Sequence, residues 1–478
     1  MSRQLPAVIL TLILIFGAGL RIWATGGDLW IDEVWSLDQL AVAQASDNPQ
    51  DWIALFFHAN THAINTVYIA LVDALAGPNP SPFAYRLLSL VTGIATVGIA
   101  TWWGWKRSPA TGVIIAALFS FSYPLINYSG EARGYAPMML AGLLAAYALE
   151  QYLKKPSPLK ISAFVTASLI GLLSHHTFIV IEAGLGLWAA WEVFDLNRRS
   201  LVSTLAKLVP LFGIQLILIV MFAAVAIDSM ARGGDCCPEP ALDSIRIMTD
   251  WMFGIDANTI TSLVPLFLIA AIIVATLARL AKGGERVWVM LGIVIIAFPL
   301  ATLIIETKPD VIHRYFLPST LFGLLMVAGV LSWLWRLGDW RRWLSITAVL
   351  LFCIGNATLL VKFSDGGRGQ YLATVQTIEN ASSGPQRISG YPTFSVGSLV
   401  RHHLKVLGPD ARLMYVASKE KNDAPADWFI HGYLEGNDPE PELKRVGSGN
   451  GPATYKLVKF FSQWGLSGDA WVLYQLQK

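Results

Sequence analysis

The chain has 478 residues, of which 54% are apolar or aromatic and only 14% are charged, and its mean hydropathy is +0.52. About a quarter of the residues of a soluble globular domain are charged, so a single water-soluble domain of this length is excluded. The basic residues behind the net charge of +2 are grouped in particular loops. Such grouping leaves no electrostatic footprint of nucleic-acid binding.

Apolar blocks of about 18 to 24 residues, each ended by Arg, Lys, Pro or Gly, recur up to residue 362, and this length suffices to cross roughly 30 Å of hydrocarbon. The first block, 5–23, lacks a small-residue cleavage site and predicts a retained helix with its N-terminus in the cytoplasm. The others are 84–105, 110–127, 134–152, 160–175, 177–193, 205–228, 260–281, 287–306, 312–335 and 343–362. The sequence therefore predicts a polytopic α-helical membrane protein with about 11 transmembrane helices.

The stretch 63–76 is ambiguous, and counting it as a span would reverse the side of every later loop. With it excluded, every second loop is basic, as expected for cytoplasmic loops. These loops hold Lys106–Arg107, Lys154–Lys155 with Lys160, Arg198–Arg199, Lys282 with Arg286, and Arg336 with Arg341–Arg342. The stretch also contains Asp73, and a carboxylate at bilayer depth costs about 2.5–3.5 kcal/mol. We therefore interpret it as an interfacial amphipathic helix in the first outer loop.

This topology collects histidines, paired acids and isolated arginines beside tyrosines on the outer side of the membrane. The outer segments are 28–62, 128–135, 174–177, 229–259 and 306–314. We interpret the basic inner loops as topology signals and the outer loops as a site. Cys236 and Cys237 lie in one outer loop, and either a strained vicinal disulfide or two free thiols fits their spacing.

The composition changes after residue 363, where charged, Gly and Pro residues return. Short apolar runs predict strands at 387–389, 412–416, 427–430 and 471–474, and helical spacing recurs at 368–381 and 393–406. We therefore predict two domains, a transmembrane domain over 1–363 and a soluble α/β domain over 364–478. The second domain is expected on the periplasmic or extracytoplasmic side.

An acid pair, Asp32–Glu33, directly follows the first span and lies between Trp30 and Trp35. A carboxylate held partly in apolar surroundings becomes more basic, which suits one of these acids to act as a general base. The alternative is that the acids cap a helix that continues to Ala45, with the tryptophans as interfacial anchors. The two interpretations are compatible.

Two arginines recur in similar surroundings on the outer side. Arg133 lies between Tyr128 and Tyr135, and the motif 313–315, His-Arg-Tyr, opens a later span after Lys308. A guanidinium beside an aromatic hydroxyl can bind the phosphate of a lipid whose hydrocarbon tail lies in the bilayer. The alternative is that the arginines reach ordinary lipid headgroups or pair with nearby acids.

Four histidines share the predicted outer side. His58 and His62 are four residues apart and would share a helix face, and His175–His176 forms a turn. Such a set can bind a divalent metal such as Zn²⁺, but no HExxH motif or cysteine pair accompanies it. We therefore expect no cofactor, with a metal as the less favoured alternative, and assign His62, His175 and His176 to hydrogen bonding.

Taken in order, these motifs resemble the membrane glycosyltransferases of the GT-C superfamily, in the bacterial branch related to protein O-mannosyltransferases and lipid A aminoarabinose transferases. The resemblance covers about residues 5–335. It rests on Asp32–Glu33, on the segments 62–68 and 83–89, on 128–135, on 174–176 and on 313–318. Relatives tend to carry prolines directly after the histidine that matches His62. This chain lacks them, so no acceptor selectivity is carried over from that position.

The resemblance implies transfer of a sugar, hexose or pentose, from a polyprenyl-phosphate donor to an acceptor on the outer face of the bacterial cytoplasmic membrane, with inversion at the anomeric carbon. Asp32 inherits the role of the base, and Glu33 would orient the acceptor or Asp32. The leaving lipid phosphate needs fixed cations. The residues expected to bind this phosphate are Arg133, Arg314, Tyr135, His313 and Lys308. Those expected to contact the substrate are His62, His175, His176 and Tyr128.

Two other classes of function compete with this assignment. A flippase or secondary transporter of lipid-linked saccharides predicts charges near mid-span and broken helices in related halves, whereas the notable charges here lie at the outer ends of spans. A non-catalytic scaffold that displays 364–478 for cell-envelope assembly would leave Asp32–Glu33 dispensable. For the leading assignment, the acceptor class is open between protein, lipid and polysaccharide.

Overall fold

The computed structural model describes residues 4–57, 62–77, 80–196, 200–226, 240–257, 263–305, 312–381, 383–417, 425–433, 439–446 and 452–477. His58, Lys308 and the Cys236–Cys237 pair lie outside the described residues. The chain forms two compact units. The first comprises Met1–Thr25, Asn48–Ile69 and Tyr85–Leu359, and the second comprises Gly26–Asp47, Ala70–Ala84 and Leu360–Lys478.

Helices dominate the chain up to residue 366. They begin with α1 (Gln4–Ala24), α2 (Ile31–Ala45), α3 (Pro49–Phe57), α4 (Ala63–Ala76), α5 (Pro82–Trp105), α6 (Pro109–Phe121), α7 (Tyr123–Ser129), α8 (Tyr135–Lys154), α9 (Pro158–Ser174) and α10 (Phe178–Leu196). They continue with α11 (Leu201–Ala226), α12 (Ala241–Met252), α13 (Val264–Lys282), α14 (Val287–Gly292), α15 (Phe298–Ile305), α16 (Leu317–Leu337) and α17 (Asp339–Gly366). A π-helical turn, Ile293–Ala297, joins α14 to α15, and a 3-10 turn, His313–Phe316, precedes α16.

Within the described ranges, seven helical segments are long and apolar enough to cross a membrane. They are Leu5–Ala24, Pro82–Trp105, Leu201–Ala224, Val264–Lys282, Val287–Ile304, His313–Leu337 and Asp339–Ala381. The pair α6 and α7, bent by 62°, makes an eighth candidate when counted as one span. The other three predicted spans coincide with α8, α9 and α10. The polytopic helical class is confirmed, and the count of eleven stays a prediction.

The bend between α6 and α7 carries the chain toward the segment that follows Ser129. Pro124 lies in the first turn of α7, where its missing N–H and fixed φ are tolerated but where it cannot continue a preceding helix. The backbone N–H of Tyr123, which the break leaves without a helical acceptor, donates to Oδ1 of Asn356 at 2.7 Å. The sequence therefore specifies the break, and a side chain of α17 accepts the backbone N–H that the break leaves without a helical partner.

Two fully buried arginines join helices of the first unit. Arg21 donates to the carbonyls of Gly17 at 3.1 Å and Phe119 at 2.9 Å, and Arg86 donates to the carbonyl of Thr25 at 2.9 Å. A buried guanidinium without acceptors would be strongly destabilising. These carbonyls supply acceptors, so both arginines have a structural role.

The C-terminal part of the second unit is a mixed six-stranded sheet with helices. It contains α18 (Tyr371–Ala381), β1 (Gln386–Tyr391), α19 (Thr393–Leu407), β2 (Leu413–Tyr415), β3 (Trp428–Tyr433), β4 (Glu442–Val446), β5 (Pro452–Phe461) and β6 (Ala470–Leu476). The strand order is β2-β1-β3-β6-β5-β4. β1 pairs in parallel with β2 and β3, and the other pairs are antiparallel. The predicted α/β architecture is confirmed.

Four described elements, α3, α12, β4 and β5, were not predicted individually. β4 is an edge strand of the sheet, and β5 lies between β4 and β6. The lysines of β5, including Lys456 and Lys459, break up the apolar pattern on which strand prediction depends. The helix α12 lies within 229–259, which the sequence predicts only as a loop, and its polar residues include the ion pair Arg246–Asp250 at 3.2 Å.

The segment Gly26–Asp47 belongs to the second unit and packs on its helices. Oδ2 of Asp28 accepts the backbone N–H of Leu372 at 2.8 Å, in the first turn of α18, where helix N–H groups lack intrahelical acceptors. The ring of Trp35 meets that of Phe394 edge-on, with 5.7 Å between centroids. The contacts of this N-terminal segment with α18 and α19 could not be read from the sequence.

Candidate functional site

The segment 130–134, between α7 and α8, is the centre of the candidate site. Asn65 donates to the carbonyl of Ala132 at 2.7 Å, and Ser89 donates to the carbonyl of Arg133 at 2.9 Å. Buried backbone carbonyls need such partners, and here side chains of α4 and α5 supply them. Arg133 is only 1% exposed. Its backbone is therefore held from two neighbouring helices before any substrate binds.

Gly134 ends this segment in close contact with two other parts of the chain. Its backbone nitrogen lies 3.1 Å from Nδ1 of His62, and the same Nδ1 lies 3.1 Å from the carbonyl oxygen of Ser174. A neutral imidazole uses Nδ1 either to accept from Gly134 or to donate to Ser174. A Cβ at position 134 would overlap the Ser174 carbonyl. Glycine is thus required by close backbone approach.

Aromatic rings from four segments meet beside Gly134. The ring of His175 lies 4.8 Å from that of His62 and 4.8 Å from that of Tyr135, measured between centroids. Tyr128 lies 4.9 Å from Tyr135, and Tyr315 lies 6.4 Å from His175. These residues come from positions far apart in sequence. The fold therefore unites the histidine, tyrosine and His-Arg-Tyr motifs that the sequence shows separately.

The histidines of this cluster are neutral at pH 7. Burial lowers the pKa of His62 well below its usual value, and the charge of Arg133 lowers it further. Burial also holds the pKa of His175 well below the usual value, with His176, Arg133 and Arg314 adding to the effect. The charges of both arginines thus act on one imidazole. Burial lowers the pKa of His176 as well.

His175 is held in one orientation by its own turn. Its Nδ1 accepts the backbone N–H of Thr177 at 3.1 Å and lies 2.7 Å from the Thr177 hydroxyl. That hydroxyl also lies 3.2 Å from the sulfur of Met138. An Nδ1 that accepts from the backbone leaves the proton of the neutral ring on Nε2. The His175 ring therefore presents an N–H donor.

The Tyr128 hydroxyl is a buried polar group with no hydrogen-bond partner among the described residues. Tyr128 is fully buried, and its Oη makes no hydrogen bond to any residue that the structure describes. Leaving a buried hydroxyl unpaired costs about 1–3 kcal/mol. A bound group with an acceptor oxygen would remove that cost.

An apolar cavity of about 350 Å³ lies in the same unit. Its walls come from α12, α13, the segment 295–303 and α16, and they include Leu242, Met252, Phe267, Leu303, Phe316 and Val327. Phe316 follows Arg314 by two residues within the same 3-10 turn. The cavity wall therefore begins next to one of the candidate phosphate-binding arginines. Its lining suits a hydrocarbon chain.

The acid pair Asp32–Glu33 belongs to the second unit. Glu33 accepts the backbone N–H of Trp30 at 3.2 Å, so the predicted capping of the helix up to Ala45 is confirmed for this residue. Asp32 is 8% exposed and Glu33 is 1% exposed. The side chain of Glu33 therefore caps the start of α2, whereas the role of Asp32 as a base stays a prediction.

Every residue predicted for the site can now be assigned to a position, except Lys308, which lies outside the described residues. The first unit brings together His62, Tyr128, Arg133, Tyr135, His175, His176 and Arg314, with His313 at the start of the same 3-10 turn as Arg314. Asn65, Ser89 and Gly134 were not predicted as functional, although they lie inside or beside motifs quoted for the resemblance. Among the described residues, no group of three or more His, Cys, Asp or Glu is arranged to hold a metal ion.

No family model matches the sequence, and no curated protein matches it. The fold is shared with ArnT from Cupriavidus metallidurans in the apo state, at a TM-score of 0.53 and 11% identity over 99% of this chain and 98% of that chain. The structure of ArnT from Cupriavidus metallidurans bound to undecaprenyl phosphate gives a TM-score of 0.51 at 12% identity, over 99% of this chain and 98% of that chain. The archaeal oligosaccharyltransferase AglB from Archaeoglobus fulgidus, in complex with an inhibitory peptide and a dolichol-phosphate, gives 0.48 at 10% identity over 89% and 69%.

At this level of identity the similarity concerns the fold, and it extends over nearly the whole chain. The predicted architecture, apolar helices followed by a C-terminal α/β part, is therefore confirmed as a fold that this chain shares with ArnT.

Proposed function

We propose that the protein is a glycosyltransferase that moves a sugar from a polyprenyl-phosphate-linked donor to an acceptor at the outer face of the bacterial cytoplasmic membrane, with inversion. The observation that carries the proposal is the ring cluster in which His175 meets Tyr135, two residues after Arg133, and Tyr315, the residue after Arg314. Phe316, in the same 3-10 turn as Arg314, lines an apolar cavity, and the chain has the ArnT fold.

The cationic cluster is suited to a lipid phosphate. Fixed guanidinium groups stabilise the negative charge that develops on a leaving phosphate without reorganising during the reaction, and they bind phosphate oxygens in pairs. The Nε2–H of His175 and the Tyr128 hydroxyl add neutral donors. Arg133 and Arg314 are assigned to the phosphate, with Tyr135, His313 and Lys308 in support. His62 and His176 are assigned to the substrate.

The apolar cavity beside Phe316 suits the first isoprene units of the carrier. The ArnT structure that contains undecaprenyl phosphate supports this class of ligand, because that protein shares the fold over nearly its whole length. In this arrangement, arginines hold the phosphate of the donor, and the tail of the donor enters an apolar cavity. The sugar of the donor is thereby kept at a fixed distance from the membrane. This arrangement supports transfer at the membrane surface.

Asp32 is proposed as the general base. It takes the proton of the acceptor hydroxyl, whose oxygen bonds to the anomeric carbon as the bond from that carbon to the phosphate oxygen breaks. The polyprenyl phosphate leaves with the bonding electrons, and a single displacement inverts the anomeric centre. Glu33, which is engaged in capping α2, positions Asp32.

The test uses the full-length protein in membranes supplied with labelled polyprenyl-phosphate sugar. Asp32→Asn is expected to abolish release of polyprenyl phosphate and transfer of the label, while binding of undecaprenyl phosphate is unchanged. Asp47→Asn, an exposed acid of the same segment, serves as the control and keeps activity. An active Asp32→Asn variant would remove the base from the proposal. A wild-type protein that binds no polyprenyl phosphate would overturn the function itself.

A further inference from the structure

A second and larger cavity, of about 880 Å³, lies in the first unit at the far ends of helices that also contribute to the site. Helix α8 begins at Tyr135, in the aromatic cluster, and ends at Lys154, which lines this cavity. Likewise α16 begins next to Arg314, and Arg336 near its end lines the cavity. A helix of about 20 residues spans 30 Å. The cavity is therefore about one bilayer core away from Arg133.

Charged side chains of both signs line this cavity. The basic ones are Arg107, Lys154, Arg279, Arg286 and Arg336, and the acidic ones are Glu150, Glu192 and Glu285. Three of the basic residues have acidic partners, because Arg107 and Lys154 share Glu150 at 3.4 Å and 2.9 Å. Arg286 pairs with Glu192 at 3.2 Å and with Asp195. The charge of these residues is largely compensated within the protein.

Arg279 and Arg336 differ from the other three. Neither forms an ion pair with a carboxylate in the part of the chain that the structure describes. The guanidinium of Arg279 lies over the ring of Trp333, 3.9 Å from its centroid, and this stacking orients the group without neutralising it. The cavity wall therefore carries two arginines that make no ion pair with a described carboxylate, although Glu285 also lines the cavity.

Trp188 gives a second, independent indication of a ligand. It lines the cavity and is 8% exposed, and its indole Nε1 is buried without an acceptor among the described residues. Indole N–H groups usually find a partner when they are buried, and an unpaired one costs about 1–3 kcal/mol. An oxygen of a bound group would serve as the missing acceptor.

The rest of the lining is apolar and identifies the ligand as an amphiphile. It includes Leu280, Met290, Leu291, Phe322, Leu325 and Val330, all from helices with membrane-spanning composition. A soluble phosphate would leave these side chains facing water, whereas a phospholipid would cover them with its glycerol backbone and the start of an acyl chain. Basic pockets between helices at the side of the basic loops are typical sites for anionic headgroups.

We propose that this cavity binds an anionic phospholipid, with its phosphate between Arg279 and Arg336. The Trp188 N–H donates to an oxygen of the headgroup, and the apolar wall covers the upper acyl chain. The occupied cavity joins α8, α13 and α16 at the membrane face opposite the cationic cluster. This site is separate from the proposed donor site and does not depend on the transferase assignment.

The test measures lipid retained by the purified full-length protein, using native mass spectrometry after exchange with phosphatidylglycerol or phosphatidylcholine. Wild type is expected to retain phosphatidylglycerol in preference to phosphatidylcholine. The double variant R279Q/R336Q is expected to retain about tenfold less phosphatidylglycerol, because each arginine contributes electrostatic attraction to the headgroup. The matched control R341Q/R342Q removes two arginines, both stacked on tryptophans, that do not line the cavity.

A variant without charge change separates binding from folding. Gly329 lines the cavity, and a Cβ there would meet no atom within 4 Å, so Gly329→Leu is expected to fold and to reduce phosphatidylglycerol retention by filling space. Millimolar inorganic phosphate is not expected to displace the lipid. The proposal is overturned if R279Q/R336Q keeps wild-type retention, if phosphatidylcholine is retained equally, or if inorganic phosphate displaces the lipid and identifies a soluble phosphate as the ligand.

Discussion

The Nδ1 atom of His62 lies 3.1 Å from the backbone nitrogen of Gly134. This contact joins the start of α4 to the segment that carries Arg133. A side chain at position 134 would lie 2.7 Å from the same Nδ1 and would overlap the carbonyl of Ser174. The position of Arg133 therefore depends on a glycine one residue away and on two segments distant in sequence.

Replacing Gly134 with alanine should displace this junction. We expect Gly134→Ala to lower the thermal unfolding temperature, because the overlap is with backbone and not with a flexible side-chain end, and to weaken undecaprenyl phosphate binding. Gly98→Ala in α5 is the control, since its Cβ meets no atom within 4 Å and alanine is favoured over glycine in a helix by about 0.5–1 kcal/mol. Equal unfolding temperatures for the two variants would contradict the requirement for glycine at 134.

Exchanging arginine for lysine tests the proposed phosphate contacts while keeping the charge. Arg133→Lys and Arg314→Lys are expected to lower the rate of transfer by about 10²-fold each, because lysine lacks the planar pair of donors that matches a phosphate. The measurement is release of polyprenyl phosphate from a labelled donor. Arg341→Lys, outside both cavities, should keep the wild-type rate. Full activity of both site variants would remove the arginines from the proposed mechanism.

The Tyr128 hydroxyl should matter for donor binding and not for stability. Because its buried Oη makes no hydrogen bond to a described residue, Tyr128→Phe is expected to keep or raise the unfolding temperature while binding undecaprenyl phosphate about tenfold more weakly. The comparison variant is Tyr371→Phe. Oη of Tyr371 donates to the Arg368 carbonyl at 2.7 Å and accepts from the Asp469 nitrogen at 2.8 Å, so that variant should be destabilised. A destabilised Tyr128→Phe with normal binding would refute the assignment.

The second unit should lose stability in mild acid. Burial lowers the pKa of His403 to about 4, whereas an unfolded histidine titrates near 6.5. Between these values the unfolded state binds more protons, so stability falls as the pH decreases, by at most about 1.4 kcal/mol per pH unit for this residue. His403→Phe, which can still stack on Tyr371, should reduce this loss. The measurement is hydrogen exchange of β6 amides in the full-length protein between pH 7.5 and 5, and an unchanged pH dependence would contradict the prediction.

Asp28 should stabilise α18 from a distance of more than 300 residues in sequence. Its carboxylate accepts the Leu372 N–H, and loss of a capping acceptor costs about 0.5–2 kcal/mol. Asp28→Ala is therefore expected to speed hydrogen exchange in the first turn of α18. The exposed acid Asp47, replaced by alanine, is the control from the same segment. Equal exchange rates in the two variants would show that the contact contributes nothing.

The sequence alone determined where most helices lie and which class of protein they form. A bilayer has no water to form hydrogen bonds with backbone groups, so a chain crosses it as helices of about 20 apolar residues. Each such helix can be recognised from its own short stretch of sequence. The eleven predicted spans therefore coincide with helices, and four strands and two helices of the α/β part were predicted by equally local patterns. Where the local pattern was weak, as in α12, β4 and β5, the elements were missed.

Only the tertiary structure decided which residues work together. The sequence marks His62, Arg133, His175 and Arg314 as separate motifs, but whether their side chains meet depends on how helices bend and pack, which no local pattern encodes. The same holds for Gly26–Asp47, whose contacts with α18 and α19 join residues more than 300 positions apart. Close approaches such as that of Gly134 to Ser174 exist only once the chain is folded, because each is a contact between segments and not a property of either one.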